Sequence, residues 1–223
     1  MPPIAHLKNW FKGKKDSKES SPLSMNDITV GDPRDTDLII PVIGPAGSGK
    51  STFINVLLER DVASVGHDLT VMPHTTRLHP HIFSDAKRRR VIVVDTPGLL
   101  DLTKDDRDLL RHISRWLASS YGADMKIAGI IYVYEIIQSR VRTVPPSLDM
   151  IKSLCGPGAA QNVILATTKW RDVSREVGER REAELKGDYW QAMIKLGSTM
   201  CQFDETPQSA RNVLNHILKK HMQ

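Results

Sequence analysis

Features that mark several common protein classes are missing from this chain of 223 residues. No apolar run approaches the roughly 18 residues that a membrane-spanning helix needs, and the first residues lack the apolar core of a secretory signal. The only two cysteines, Cys155 and Cys201, do not have the spacing of a metal site. They are interpreted as reduced thiols, so we expect a cytoplasmic protein. The net charge of +5 is small. Because aromatic and basic residues form no shared platform, nucleic acid is not expected as a partner.

The amino-terminal part of the chain differs in composition from the rest. Residues 1–36 are polar and rich in Lys, Ser, Asp and Pro, which predicts a flexible polar and basic extension ahead of one folded domain over residues 37–223. Apolar residues near helical spacing occur within it at Ile4, Leu7, Trp10 and Phe11. They are compatible with a short helix that contacts a membrane surface or a partner. A solvated tail is the preferred interpretation, since about ten residues form only a marginal helix alone.

Strand-like and helix-like segments alternate through the folded domain. Short apolar segments typical of buried strands lie at residues 37–44, 77–83, 90–95, 126–135, 162–168 and 199–204. Segments with helical periodicity lie at residues 51–60, 106–122, 174–197 and 206–221, and we expect the third to be interrupted at its glycines. This alternation predicts an α/β fold in three layers, with a mostly parallel sheet covered by helices on both faces.

Three local signals add detail to this fold. Pro41 lies in the first strand and cannot donate a hydrogen bond there, so one ladder bond should be missing. The charged stretch "SDAKRRR" separates the second and third strand segments and predicts a hairpin with a solvated basic tip at Lys87–Arg90. Thr206 and Pro207 fit the N-cap and the first position of the last helix.

The segment "GPAGSGKSTF" follows the first strand and precedes a helix. It fits the phosphate-loop pattern G-x-x-x-x-G-K-S/T, which would arise by chance in roughly one chain in a hundred of this length. Glycines let backbone N–H groups approach phosphate oxygens, and a helix N-terminus favours an anion at the same place. Lys50 is predicted to reach the terminal phosphates and act in catalysis, and Ser51 to ligate Mg²⁺. The predicted nucleotide contacts of this loop are Gly44, Ala46, Gly47, Ser48, Gly49, Lys50, Ser51 and Thr52.

A second motif, "VIVVDTPG", ends an apolar strand with Asp95 and continues to Gly98. A carboxylate at the end of a strand beside the phosphate loop can hold Mg²⁺ through a water molecule, and the Gly98 N–H can contact a γ-phosphate. Between the two motifs, Thr75 is predicted to complete the magnesium shell and to take part in catalysis when γ-phosphate is bound. Thr76 and Thr70 are the alternatives for that role.

The strand segment "NVILATT" is followed by "KWRDV", at the position where GTP-binding domains carry N/T-K-x-D. In that motif the lysine stem lies along the base, and the aspartate accepts hydrogen bonds from guanine that adenine cannot donate. Thr168 and Lys169 match the motif, whereas Arg171 occupies the aspartate position and can only donate. Two explanations are open. Either Asp172, one residue later, contacts the base, or the preference for guanine is weak.

Six segments together resemble a known family: "GPAGSGKSTFIN", "VGHDL", "VDTPGLLD", "KIAGIIYVYEI", "LCGPGAAQNVILATTKW" and "SREVGERREAEL". Over most of residues 38–218 the chain resembles fungal G-domain proteins related to septins and to the immunity-associated, GIMAP-like GTPases. The resemblance implies a P-loop NTPase fold with a six-stranded sheet and one antiparallel edge strand, and it implies GTP or GDP and Mg²⁺ as ligands. It also implies a homodimer that pairs through the nucleotide faces, with Arg140 acting on the partner's nucleotide.

The residue after Gly98 bears on hydrolysis. Ras-like enzymes place a glutamine there to orient the attacking water, but here Leu99 follows, and an apolar side chain cannot orient water. The candidate substitutes are His74, Arg77 and Arg140. We therefore expect a Mg²⁺-dependent GTPase with a slow intrinsic rate, on the order of 10⁻⁴ to 10⁻² per second.

In this interpretation the protein acts as a nucleotide-dependent switch or assembly module for an unidentified protein effector. Three alternatives are open. The first is a nucleotide-binding scaffold without turnover, and the second is an NTPase that accepts both ATP and GTP. The third is a small-molecule phosphotransferase in which "SREVGERR" forms a lid over the donor phosphates.

Overall fold

The computed structural model of the chain describes residues 30–63, 78–98, 106–121, 127–139 and 158–221. These residues contain six strands: β1 (Leu38–Ile43), β2 (His79–Ser84), β3 (Arg90–Asp95), β4 (Ile130–Glu135), β5 (Val163–Thr168) and β6 (Thr199–Gln202). Their order across one sheet is β2-β3-β1-β4-β5-β6. β2 runs antiparallel to β3, and all other neighbours are parallel. The predicted α/β fold is therefore confirmed, including its antiparallel edge strand.

Five α-helices lie within the described residues: α1 (Lys50–Leu58), α2 (Asp106–Tyr121), α3 (Arg175–Glu184), α4 (Gln191–Lys195) and α5 (Pro207–Leu218). A π-helical turn, Leu185–Tyr189, connects α3 to α4, and short 3₁₀ turns occur at Ala159–Asn162, Trp170–Asp172 and Lys219–His221. α5 begins as predicted, because Thr206 is its N-cap and accepts a hydrogen bond from the Ser209 N–H, and Pro207 is its first residue.

The helices cover the sheet on both faces. On one face, α1 and α5 pack through a cluster that includes Phe53 and Phe203, whose ring centroids are 5.1 Å apart. On the other face, α2 and the segment from α3 to α4 pack through a cluster that includes Trp116, Tyr132 and Trp190. Every residue of β4 and β5 is buried, as expected for central parallel strands. No helix in the described ranges is both long and apolar enough to cross a membrane.

The expected interruption of the third helical segment at its glycines is wrong for Gly178. This residue lies inside α3, where its lack of a side chain leaves room for the indole ring of Trp170. A Cβ on Gly178 would lie 2.7 Å from that ring. The helical geometry changes later, at the π-helical turn that contains Gly187. Gly178 is therefore a packing contact, and the helix continues past it.

The pairing of β1 is irregular at Pro41, as predicted. The Ala128 N–H donates to the Ile39 carbonyl at 2.8 Å, so Ile39 presents its backbone groups to the β4 side. Since these groups alternate between the two neighbouring strands, Pro41 faces the same side. Regular pairing with β4 is confined to Val42 and Ile43, after an isolated bridge at Ile39. The missing donor of Pro41 thus falls in the gap of the β1–β4 ladder.

Val30 is the first described residue, and its side chain is buried in the core with 5% of its surface exposed. The segment that follows is exposed from residue 31 to residue 36, although Asp32 forms an ion pair with Arg90 of β3 at 3.1 Å. Packing therefore extends into the segment that the sequence assigned to the flexible extension, residues 1–36. The first 29 residues lie outside the described part of the chain.

The tip of the β2–β3 hairpin is only partly solvated. Lys87 and Arg88 are exposed, as expected. Arg89 instead pairs with Asp85 at 2.7 Å and donates to the carbonyl oxygen of Leu218, at the end of α5, at 3.2 Å. The prediction of a solvated basic tip is therefore wrong for Arg89, whose guanidinium connects the hairpin to the last helix. It is also wrong for Arg90, the first residue of β3, whose side chain is 14% exposed and pairs with Asp32.

Candidate nucleotide-binding site

The phosphate loop joins β1 to α1 at the carboxyl-terminal edge of the sheet. Its last residue before the helix, Gly49, has a φ of 94°, a left-handed conformation that glycine adopts without strain. At Gly44, a Cβ would lie 2.2 Å from the carbonyl oxygen of Val133 in β4, so a larger residue does not fit. The first turn of α1 carries backbone N–H groups that have no helical partner. The loop therefore has the geometry of an anion-binding site.

Lys50 is buried within this loop, with 7% of its surface exposed. Its Nζ donates to the carbonyl oxygens of Gly44, at 3.2 Å, and of Pro45, at 2.9 Å. A buried ammonium is unfavourable without acceptors, and these carbonyls hold it inside the loop. Phosphate oxygens would offer charged acceptors, which form stronger hydrogen bonds than carbonyls do.

Ser51 and Asp95 lie in contact, although 44 positions separate them in the chain. Ser51 Oγ donates to Asp95 Oδ2 at 2.8 Å, and Asp95, at the end of β3, is only 2% exposed. A hydroxyl and a carboxylate, together with phosphate oxygens from a nucleotide, make the all-oxygen ligand set that Mg²⁺ prefers. The residues at this place therefore fit a magnesium ion shared with a bound nucleotide.

The segment after β3 lies directly against the phosphate loop. A Cβ on Gly98 would lie 2.7 Å from the backbone nitrogen of Ala46, so the two loops touch. Thr96 Oγ1 donates to the carbonyl of Val42 at 2.8 Å and fixes the end of β3 to the end of β1. These contacts bring the Gly98 backbone to a place where it can approach a terminal phosphate.

The residues of the base-recognition motif lie at the end of β5, next to the loop. Thr168 Oγ1 donates to the carbonyl of Ser48 at 2.7 Å, across 120 positions of the chain. Lys169 follows with a φ of 58°, and its ammonium forms an ion pair with Glu135 at the end of β4. The structure thus brings the phosphate loop and the base-recognition motif into direct contact.

Arg171 lies in the 3₁₀ turn Trp170–Asp172 and points toward solvent. Its side chain is 64% exposed, and its Nη1 lies 3.8 Å from Oε2 of Glu205, in the loop after β6. Ion pairs between exposed side chains are weak, so this contact does not hold Arg171 in one orientation. Asp172 is also exposed, at the end of the same turn.

Two acidic residues at this edge were not singled out from the sequence. Glu135 carries the same signal as Asp95, a carboxylate that ends an apolar strand, here "IIYVYE". Glu205 has no local signal and is found only through its contact with Arg171. Several predicted residues lie outside the described ranges: Thr70, His74, Thr75, Thr76, Arg77, Leu99, Arg140 and Cys155.

Comparisons of the sequence with known proteins give consistent matches. A family model described as "50S ribosome-binding GTPase" matches residues 39–169. GTPase Era of Ehrlichia ruminantium (strain Gardel) is 36% identical over 72 residues, which cover 32% of this chain and 23% of Era. The tRNA modification GTPase MnmE of Ehrlichia canis (strain Jake) is 32% identical over 119 residues, which cover 52% of this chain and 25% of MnmE. The chain thus spans about a quarter of the length of these relatives.

The fold is also similar to that of solved structures. Toc33 from Arabidopsis thaliana, in complex with Mg²⁺ and GMPPNP, superposes with a TM-score of 0.60 at 16% identity, covering 83% of this chain and 86% of the other. A second structure concerns the chloroplast translocon components Toc33 and Toc159, for which dimerisation is described as important for GTPase activity. It superposes with a TM-score of 0.59 at 16% identity and covers 84% of each chain. At this level of sequence identity, the superpositions show a similar fold and nothing about function.

Proposed function

Because this chain belongs to the 50S ribosome-binding GTPase family, we propose that it is a Mg²⁺-dependent GTPase with a low intrinsic rate, working as a nucleotide-dependent switch or assembly module. Family membership makes it a GTP-binding P-loop domain with GTP or GDP and Mg²⁺ as ligands. The proposal includes a cytoplasmic location and a protein effector.

The contact between Ser51 and Asp95, at 2.8 Å, carries this proposal. It joins the two phosphate-binding motifs at the edge of the sheet where Lys50 also lies. Mg²⁺ held by these two residues would neutralise charge on the β- and γ-phosphates. Lys50 would hold the same phosphates, while the N–H groups at the start of α1 orient them. These residues bind the triphosphate and stabilise the charge that develops on it during transfer.

The segment after β3 supports two parts of the proposal, the nucleotide-dependent switch and the low rate of GTP hydrolysis. Since Gly98 lies against Ala46 of the phosphate loop, loss of the γ-phosphate would act first on the residues that follow Gly98. Leu99 stands where Ras-like enzymes carry the glutamine that orients water. Hydrolysis therefore depends on a backbone group, on another loop or on a partner, and it is slow without one.

We also propose a finer class and a homodimer. The six sequence segments quoted above, in particular "ATTKW" with the charged helix after it, support a place among septin-like and GIMAP-like GTPases of the kind found in fungi. Pairing of two copies through their nucleotide faces is supported by the Toc33 and Toc159 comparison, in which dimerisation is important for GTPase activity.

A nucleotide-binding scaffold without turnover, or with relaxed choice of base, is the second candidate. It is favoured by Leu99 after the second motif and by the solvent-exposed Arg171 at the position of the base-reading aspartate. The phosphotransferase alternative is not retained. The segment considered as its lid forms the N-cap and first turns of α3 and is packed in place, since Gly178 contacts Trp170 and Arg181 donates to the carbonyl of Ile137 at 2.9 Å.

Identifying the nucleotide that copurifies with the protein tests the proposal most directly. Denaturation followed by ion-exchange chromatography should release GDP or GTP. Titration of nucleotide-free protein should give a dissociation constant for GTP–Mg²⁺ of about 1 μM or tighter, and single-turnover assays should show slow loss of the γ-phosphate. GTP binding without hydrolysis would favour the scaffold, equal binding of ATP would favour relaxed specificity, and no nucleotide binding would overturn the proposal.

A further inference from the structure

The charged groups around Lys169 indicate how the base is held. In GTP-binding domains, the stem of this lysine lies along the base. Here the Lys169 ammonium pairs with one oxygen of the Glu135 carboxylate, and the other oxygen accepts a hydrogen bond from Gln138. The Lys169 side chain is 28% exposed and that of Glu135 is 10% exposed. The ion pair is therefore largely removed from solvent.

Glu135 occupies a rigid place relative to the phosphate loop. It is the last residue of β4 and lies opposite Thr168 in the register with β5. Thr168 in turn donates to the carbonyl of Ser48 at 2.7 Å. The carboxylate is thus carried by a buried strand, whereas Lys169 lies in a turn after its own strand. The ion pair therefore joins the Lys169 side chain to the end of a buried strand.

The energetics favour an organising role for this pair. A carboxylate as buried as Glu135 needs a partner, because an uncompensated buried charge is strongly destabilising. Lysine has a long stem that samples many rotamers when its ammonium is free. The ion pair at the Lys169 ammonium restricts the rotamers of the aliphatic stem. A flat ring can then pack against the stem with little further loss of side-chain entropy.

We propose that Glu135 is a positioning residue for the base: it fixes the Lys169 stem as a platform for the face of a purine ring. The inference rests on the proposed function. Contact with the face of the ring contributes equally to GTP and ATP, since both present a purine. Glu135 therefore raises the affinity of both nucleotides relative to inorganic tripolyphosphate, which carries the phosphates without a base, and the choice of guanine is left to other residues.

Titrations of the full chain with GTP, ATP and tripolyphosphate, each with Mg²⁺, test this inference. Glu135→Gln should lower the affinity for both nucleotides by about tenfold and change the affinity for tripolyphosphate by less than about twofold. The tenfold figure corresponds to the entropy cost of ordering one long side chain on binding. Glu135→Asp keeps the charge and should recover part of the loss. Asp85→Asn is the matched control, because Asp85 is also a buried carboxylate, 8% exposed and paired with Arg89, but it lies in the β2–β3 hairpin. It should leave the ratio of nucleotide to tripolyphosphate affinity unchanged.

A double variant tests whether Lys169 contributes to base binding without its ion pair to Glu135. Glu135→Gln combined with Lys169→Met removes both charges, leaves no unpaired buried charge and should give the same affinity ratio as Glu135→Gln alone. A further loss in the double variant would show that Lys169 is positioned without Glu135 and would overturn the inference.

Two other results of the titrations would also overturn the inference. One is an unchanged ratio in Glu135→Gln. The other is a loss confined to GTP, which would make Glu135 a reader of the guanine edge. Failure of the unchanged protein to bind either nucleotide would instead refute the proposed function.

Discussion

At the scale of single residues, Lys50 combines a positive charge with burial inside the phosphate loop. It is 7% exposed and reaches two loop carbonyls, so its ammonium is already where phosphate oxygens would bind. Lys50→Ala should weaken GTP–Mg²⁺ binding by on the order of 100-fold or more, about 2.7 kcal/mol, because charge-assisted hydrogen bonds are lost. Equilibrium titration measures the loss, with thermal unfolding of the nucleotide-free protein as the control for folding. Unchanged affinity would mean that the triphosphate binds elsewhere.

Arg171 provides a residue-scale test of base choice. Its guanidinium cannot accept the hydrogen bonds that guanine donates, and its contact with Glu205, at 3.8 Å, is exposed. Arg171→Asp should raise the ratio of GTP to ATP affinity by at least about tenfold, since a carboxylate there would distinguish the two bases. Arg175→Asp is a suitable control, because Arg175 is 90% exposed on the nearby helix α3, and it should leave the ratio unchanged. If Arg171→Asp lowers or preserves the ratio, guanine is read by another residue.

The role of a single residue could be predicted from the sequence only where that role depends on neighbouring residues in the chain. Gly49, Lys50 and Ser51 are recognisable because the loop needs a specific backbone conformation and a helix immediately after it, and both are local properties of the sequence. The pair of Glu135 with Lys169 depends instead on the register of two strands. Nothing in the spacing of these residues, 34 positions apart, indicates that they meet.

At the scale of secondary-structure elements, α3 depends on an absent side chain. A Cβ on Gly178 would lie 2.7 Å from the Trp170 ring. Overpacking in Gly178→Ala should cost about 1–3 kcal/mol. Alanine gains roughly 1 kcal/mol over glycine in a helix, so the expected net destabilisation is up to about 2 kcal/mol. Chemical denaturation measures the change. Gly187→Ala is the control, because a Cβ added to Gly187 would meet no atom within 4 Å, and this variant should be near neutral. A stabilised Gly178→Ala variant would show that Trp170 moves aside freely.

The strands with the clearest signal in the sequence were those buried on both faces. β1, β3, β4 and β5 appear in the sequence as continuous apolar runs because helices cover both sides of the sheet. The α3–α4 region was harder, since of the glycines Gly178 and Gly187 only Gly187 lies where the helical geometry changes, in the π-helical turn at residues 185–189. Gly178 resembles a helix breaker in the sequence, and only its contact with Trp170 explains its place.

At the scale of the whole molecule, bound nucleotide should stabilise the fold. The site draws on β1, α1, β3 and β5, so a ligand bound there favours the folded state over the unfolded chain. At a GTP–Mg²⁺ concentration about 100 times the dissociation constant, the gain is about 2.7 kcal/mol. For a domain of this size, that corresponds to a rise in Tm of roughly 5–11 °C. Differential scanning calorimetry would measure the shift, and Lys50→Ala should show little of it. An equal shift in that variant would contradict the placement of the site.

The proposed homodimer makes a second prediction at this scale. If two copies pair through their nucleotide faces, the GTP turnover per molecule should rise with protein concentration and level off once the dimer is saturated. Turnover assays combined with analytical ultracentrifugation would relate the rate to the fraction of dimer. A rate that stays constant while the dimer fraction changes would show that each copy hydrolyses GTP independently.

The hydrogen bond from Thr168 to the Ser48 carbonyl spans 120 positions, and it has a consequence for how the protein is made. Chains begin to fold during synthesis from the amino-terminal end, yet the loop that carries the recognisable motif is supported by a strand translated much later. A nascent chain that has emerged only through residue 98 lacks this support. Tight binding of a nucleotide is therefore expected only after β5 has been synthesised and has joined the sheet.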